Sequence, residues 1–111
     1  MTWDEPQHIT AGYSKLITGD FRMNTEHPPL MHFLEGLPLL LLKPQLRLDE
    51  SWNNKNMIEF TRQFFFVANK NPRELLFYGR LPVVLLTLLL GLIIFLWTKG
   101  MFGINAALTA L

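Results

Sequence analysis

Apolar residues in this chain recur at helical spacing in some stretches and run unbroken in others, and the two patterns divide it into zones. In the first zone, residues 1–27, Ile9, Tyr13, Leu16 and Ile17 stand three or four apart, which predicts a short amphipathic helix. Asp4 sits where a cap would, Pro6 falls in the first turn, and Gly19 stands at the exit. Phe21 to Glu26 read as a loop. The second zone, residues 28–48, opens on Pro28-Pro29 and reads as a membrane helix, although its apolar stretch ends at Leu42 after about 15 residues, short for a full crossing. His32 and Glu35 lie at i and i+3 on one face of it, and in lipid they must face protein or water. Pro38 predicts a kink.

The third zone, residues 49–79, is mixed. Trp52, Phe60, Phe64 and Phe65 keep helical spacing, and Ile58 to Phe66 alternates greasy and polar faces. A helix lying in the membrane interface and an ordinary packed amphipathic helix both fit that pattern. Asn69-Lys70-Asn71-Pro72 reads as a turn. The fourth zone, residues 80–99, is the strongest signal. Leu81 to Thr98 carries no ionisable group, and its 18 residues at 1.5 Å rise span roughly 27 Å, close to a bilayer core. Tyr78 and Arg80 at one end, with Trp97 and Lys99 at the other, have the chemistry of interface anchors. Pro82 is expected in the first turn, where its missing N–H costs little. Gly100 to Gly103 breaks the run, and 104–111 reads as the start of a further, truncated membrane helix. Both ends look cut, so more apolar helices are expected before Met1 and after Leu111.

Composition strengthens the membrane reading. Half of the 111 residues are hydrophobic and only 17% are charged, where a soluble domain carries nearer a quarter. A chain this small can hardly surround the 81–98 helix on all sides. The expected fold class is therefore all-α, with polytopic membrane helices and interfacial amphipathic helices. A net charge of +1 gives no reason to expect nucleic acid. The absence of cysteine excludes disulfides and thiolate metal sites, and the N-terminus has no signal-peptide pattern. Lys and Arg are denser between Lys43 and Arg80 than in residues 1–27, so the positive-inside rule makes 49–79 cytoplasmic and 1–27 a first extracytoplasmic loop. The expected location is integral to a plasma, inner or endoplasmic-reticulum-type membrane.

The candidate chemistry lies where polar meets greasy. Asp4-Glu5-Pro6 opens the first zone, and Glu26-His27-Pro28-Pro29-Leu30 closes it at the mouth of the Leu34–Leu42 run. Carboxylates and a histidine in that position point to chemistry at a membrane surface. Plainer readings stand beside this one. Asp4 can be only a helix cap, and His27 only a loop residue. His32 and Glu35 can simply pair with other helices or border a water-filled cavity. Phe64 to Phe66 is more often packing than an acceptor platform.

Several blocks, taken in order, resemble the first external loop of a family of membrane glycosyltransferases. They are Asp4-Glu5-Pro6-x-His8 and Gly12-Tyr13, then Thr18-Gly19-Asp20-Phe21-Arg22-x-Asn24, and Glu26-His27-Pro28-Pro29-Leu30. Leu37 to Leu42, Arg80 to Leu86, Leu96-Trp97 and Phe102-Gly103 look similar as well. The family is that of the dolichyl-phosphate-mannose protein mannosyltransferases and their bacterial relatives, glycosyltransferase family 39, with the GT-C fold. The resemblance implies a polytopic enzyme with its active site at the outer membrane face. Asp4 and Glu5 would be the catalytic acidic pair, with Asp4 as the base. The sugar would come from a polyprenyl-phosphate donor and pass, with inversion, to a hydroxyl on protein, lipid or glycan. The chain would then be the N-terminal part of such an enzyme and inactive on its own.

The chemistry of that reaction suits the residues. A base must take the acceptor proton, and the leaving phosphate needs charge stabilisation more than acid help. Arg22 is a cation for that task, with Lys15 a second candidate. Glu26 and His27 are the substrate-binding candidates, as side chains that can hold a sugar hydroxyl or a divalent metal. Two ligand types without a third leave the metal open. The alternative is a small two-helix integral membrane protein with a structural or interaction role and no catalytic activity.

Overall fold

Helix α1, Glu5–Thr18, forms the axis of the folded part, and every residue from Ile9 to Lys15 is buried. The structure is a computed structural model and describes residues 4–111; Met1, Thr2 and Trp3, the start of the expected 1–27 zone, lie outside the described residues. The other helices are α2 (Pro29–Gly36), α3 (Leu39–Leu42), α4 (Glu50–Asn53), α5 (Met57–Arg62), α6 (Pro72–Phe102) and α7 (Ile104–Thr109). A π-helical turn, Gln63–Ala68, continues α5. Among the described residues there is no strand, so the all-α expectation holds at that level.

Apolar side chains pack on two sides of α1. On one side Ile9 and Tyr13 meet Leu39, Phe64, Phe65 and Leu75. On the other, Ala11 meets Met23, Trp52 and Phe60. Each fully buried Phe of this kind contributes about 1.5–3 kcal/mol over its exposed state. Phe60, Phe64 and Phe65 thus take the packed reading of the third zone, while Ile58, Phe66 and Val67 on the same segment stay exposed. Polar groups lock the connections. The Asp49 carboxylate caps α4 by accepting from the amides of Ser51 and Trp52, and Asn56 caps α5 by accepting from the Glu59 amide. The Asn69 side chain bonds the Gln45 amide and carbonyl and the Phe64 carbonyl, tying the π-helical turn to the extended segment after α3. The Tyr13 hydroxyl donates to the Pro44 carbonyl at 3.0 Å.

Residues 4–27 and 49–79 share both cores. Charge counting set these zones on opposite sides of a bilayer, and it compares loops without regard to what they pack against. The 28–48 zone takes the form of α2, a turn at Leu37-Pro38, the four-residue α3, and then extended chain. From Pro29 to Leu42 that is about 21 Å of helix, short of a crossing.

Helix α6 is the one described helix long and apolar enough to span a membrane. Its 31 residues extend about 46 Å. Leu75 and Gly79 near its start are buried against the core, whereas none of its most apolar window is covered. The helix begins at Pro72, in its first turn, rather than near residue 80. Pro82 is therefore an interior proline, and it has no N–H to offer the carbonyl one turn back. Gly103, at φ 88°, ends the helix as its position suggested. Helix α7 then folds back, bringing Leu111 within 3.8 Å of the position a side chain would take at Gly91.

Candidate functional site

The backbones of α1 and α2 touch at Gly12 and Gly36, where a Cβ on either would fall within 3 Å of the other helix's backbone. Only glycine permits this approach. It brings the polar face of α1 against His32 and Glu35 of α2. The His32 Nδ1 lies 2.8 Å from the buried Lys15 ammonium, and its Nε2 lies 2.8 Å from His8 Nδ1. Lys15 also donates to the Asn24 carbonyl, and the Asn24 amide nitrogen lies 3.4 Å from His8 Nδ1. Burial lowers the Lys15 pKa. Burial, then the charges of Lys15, His8 and His27, pushes His32 down to about 4. Burial and His27 also lower His8, against an opposing pull from Asp4.

Asp4 precedes α1 and occupies its cap position, but its side chain makes no cap hydrogen bond. Its backbone carbonyl instead accepts from the amides of Gln7 and His8. The plain capping role considered for its carboxylate is therefore not the one it takes. Asp4 and His8 line two cavities at once. One, of about 640 Å³, is completed by Glu5, Ile9, Glu35, Gly79, Arg80, Val83 and Val84. The other, of about 470 Å³, is walled by Arg22, Asn24, Glu26, His27 and Lys55 among others.

Each residue proposed from sequence falls on this region. Glu5 holds Arg80 through two hydrogen bonds, the Nη2–Oε2 one at 2.8 Å, and so ties the start of α1 to α6. Arg22 is held by Asp20 at 2.7 Å and lies 5.0 Å over the Trp52 ring, so much of its charge is already engaged. The hydrogen bonds from Arg22 keep Asp20 below the usual carboxylate range. Glu26 and His27 are exposed on the wall of the second cavity. Lys15 is sealed against His32 and does not serve as the second free cation.

Sequence reasoning assigned no role to His8, Asn24, Lys55 or Arg80 in the site. His8 was visible one helical turn after Asp4, on the same face. Glu35, marked as needing protein or water, lies on the first cavity with its Oε2 buried and unpartnered. Burial and then the Glu5 charge push it up to about 7. No group of three His, Asp or Glu side chains among the described residues is arranged to hold a metal ion. No protein-family model, curated protein or solved structure matches this chain.

Proposed function

We propose that this chain supplies part of the active site of a membrane glycosyltransferase, one that moves a sugar from a polyprenyl-phosphate donor to a hydroxyl acceptor. The observation that carries this reading is the position of Asp4, on the wall between an apolar-edged cavity at α6 and a polar cavity beside it. The lipid of the donor lies along α6 at Val83 and Val84, and the acceptor enters from the polar side. Asp4 takes the acceptor proton as the hydroxyl oxygen attacks the anomeric carbon. The bond from that carbon to the phosphate oxygen breaks with inversion, and the lipid phosphate leaves with the electron pair. Arg80 on the first cavity, and Arg22 and Lys55 on the second, are the cations along this path, and Glu26 and His27 hold sugar hydroxyls. The site stands at the extracytoplasmic face. The bare flank of α6 supports a second reading, a structural or interaction subunit anchored by one helix.

The test is transfer from a panel of polyprenyl-phosphate sugars by membranes carrying the gene's whole product. Asp4→Asn is expected to lower the rate by about 10²–10⁴-fold at normal membrane levels, the usual worth of a positioned base. Unchanged transfer in that variant would overturn the assignment of Asp4. No transfer from any donor would favour the structural reading.

A further inference from the structure

A neutral imidazole has one N–H and one lone pair, while an ammonium has only donors. Lys15 therefore fixes the rest of the chain of hydrogen bonds. Its ammonium donates to His32 Nδ1, so the His32 proton is on Nε2. That N–H donates to His8 Nδ1, which leaves the His8 proton on Nε2. The Asn24 amide nitrogen lies 3.4 Å from the same His8 Nδ1, a long contact that agrees with this arrangement but is too weak to impose it. Burial of both imidazoles favours their neutral forms, which the scheme requires. Only a neutral Lys15 that accepted from a His32 Nδ1–H would reverse the chain and move the His8 proton to Nδ1. The groups that face His8 are Asp4 of its own segment, His27 and Asn24 of the loop, His32 of α2, and Lys15 about two turns further along α1. His8 Nε2 has no partner among the described residues, and His8 lines both cavities.

We propose that Lys15, acting through His32, holds His8 with its proton on Nε2, so that His8 donates a hydrogen bond to a ligand oxygen beside Asp4. Lys15 and His32 are then positioning residues and His8 a binding residue. The nature of that ligand rests on the glycosyltransferase reading, but the tautomer does not. The experiment is long-range proton–nitrogen correlation of ¹⁵N-histidine in the full chain in lipid nanodiscs at pH 7.5, with His27→Gln removing the third histidine. His8 and His32 are both expected as pure Nε2–H tautomers. Lys15→Met is expected to turn His8 into a mixture of tautomers. A wild-type His8 protonated on Nδ1 overturns the proposal, and this result needs no variant to fold. A pure Nε2–H His8 in folded Lys15→Met removes Lys15 from it. In the transfer assay, His8→Leu is expected to raise KM about tenfold and His8→Gln, which keeps an N–H donor, to restore it. An unchanged KM in active His8→Leu overturns the ligand contact. The spectra are read without any transfer, so a failed sugar assay and a failed tautomer remain distinguishable.

Discussion

Replacing Gly12 by alanine tests the crossing on which the whole site depends. The new Cβ would lie 1.7 Å from the His32 carbonyl oxygen and 2.6 Å from its carbon. Both are backbone atoms, so no rotamer change relieves the clash. Reaching ordinary contact near 3.5 Å requires α1 and α2 to part by about 2 Å at the crossing. That movement stretches both 2.8 Å links of the Lys15–His32–His8 chain beyond hydrogen-bond length. Overpacking alone costs about 1–3 kcal/mol, and each buried polar group left unpaired adds about 1–3. With a group unpaired at each of the two links the expected loss is at least about 3 kcal/mol, a large share of a small domain's total stability. Gly36→Ala, with a Cβ 2.5 Å from the Gly12 carbon and Tyr13 nitrogen, should behave alike. Two controls scale the result. Gly79→Ala has its nearest contacts with the Ile9 side chain rather than with backbone and should cost less. Gly100→Ala meets nothing within 4 Å and should gain up to about 1 kcal/mol from helix propensity. Thermal unfolding of the four variants in detergent, followed by circular dichroism, ranks them. A Gly12→Ala midpoint within 2 °C or so of wild type would refute the backbone contact, since about 4 °C accompanies each kcal/mol in a chain of this size.

Glu35 has a folded pKa of about 7 against an ordinary 4.5, so its contribution to stability is whole below pH 4.5 and is lost as the pH rises to about 7. At about 1.4 kcal/mol per unit the whole shift corresponds to about 3.5 kcal/mol, and solvent screening of this half-buried group brings the loss to about 1–2 kcal/mol. Glu35→Gln should remove that dependence and exceed wild type in unfolding midpoint at pH 8; parallel pH curves for the two proteins would sink the idea. Asn69→Ala removes bonds to Gln45 and to the Phe64 carbonyl and should cost about 1–2 kcal/mol, with faster amide exchange at Gln45 as the local sign. If exchange at Gln45 does not change, Asn69 is not the tie between these segments.

Much of the local architecture was legible because it depends on near neighbours. The spacing of Ile9, Tyr13 and Leu16, with Gly19 after them, describes α1 and its left-handed exit. The uncharged run from Leu81 to Thr98 marks the membrane candidate within α6, and Gly103 its end. The start of α6 was misjudged because residues 72–80 are polar enough to look like a loop, yet Leu75 and Gly79 are held by the core rather than by lipid. The packing between zones was not legible for a related reason: Trp52 and Phe60 find Ala11 and Met23 across some forty residues of sequence, which no local charge count registers. Asp4, Glu5, Arg22, Glu26 and His27 line the two cavities. The chain from Lys15 to His8 stayed hidden because it exists only where two glycines let separate helices meet.

Helix α6 also makes the candidate site a lever on the bilayer. Gly79 and Arg80 form part of the first cavity's wall, and the same unbroken rod continues to Phe102, about 33 Å further on. A hydrophobic stretch meets a thinner or thicker membrane by tilting. Ten degrees of tilt about the Phe102 end would swing the cavity wall sideways by about 6 Å on a rod of that rise. The Glu5–Arg80 pair and the seat of Gly79 on Ile9 would carry α1 with it. On the proposed reading, cavity wall and membrane anchor move as one piece, and the thickness of the surrounding lipid would set how far the site stands above the headgroups.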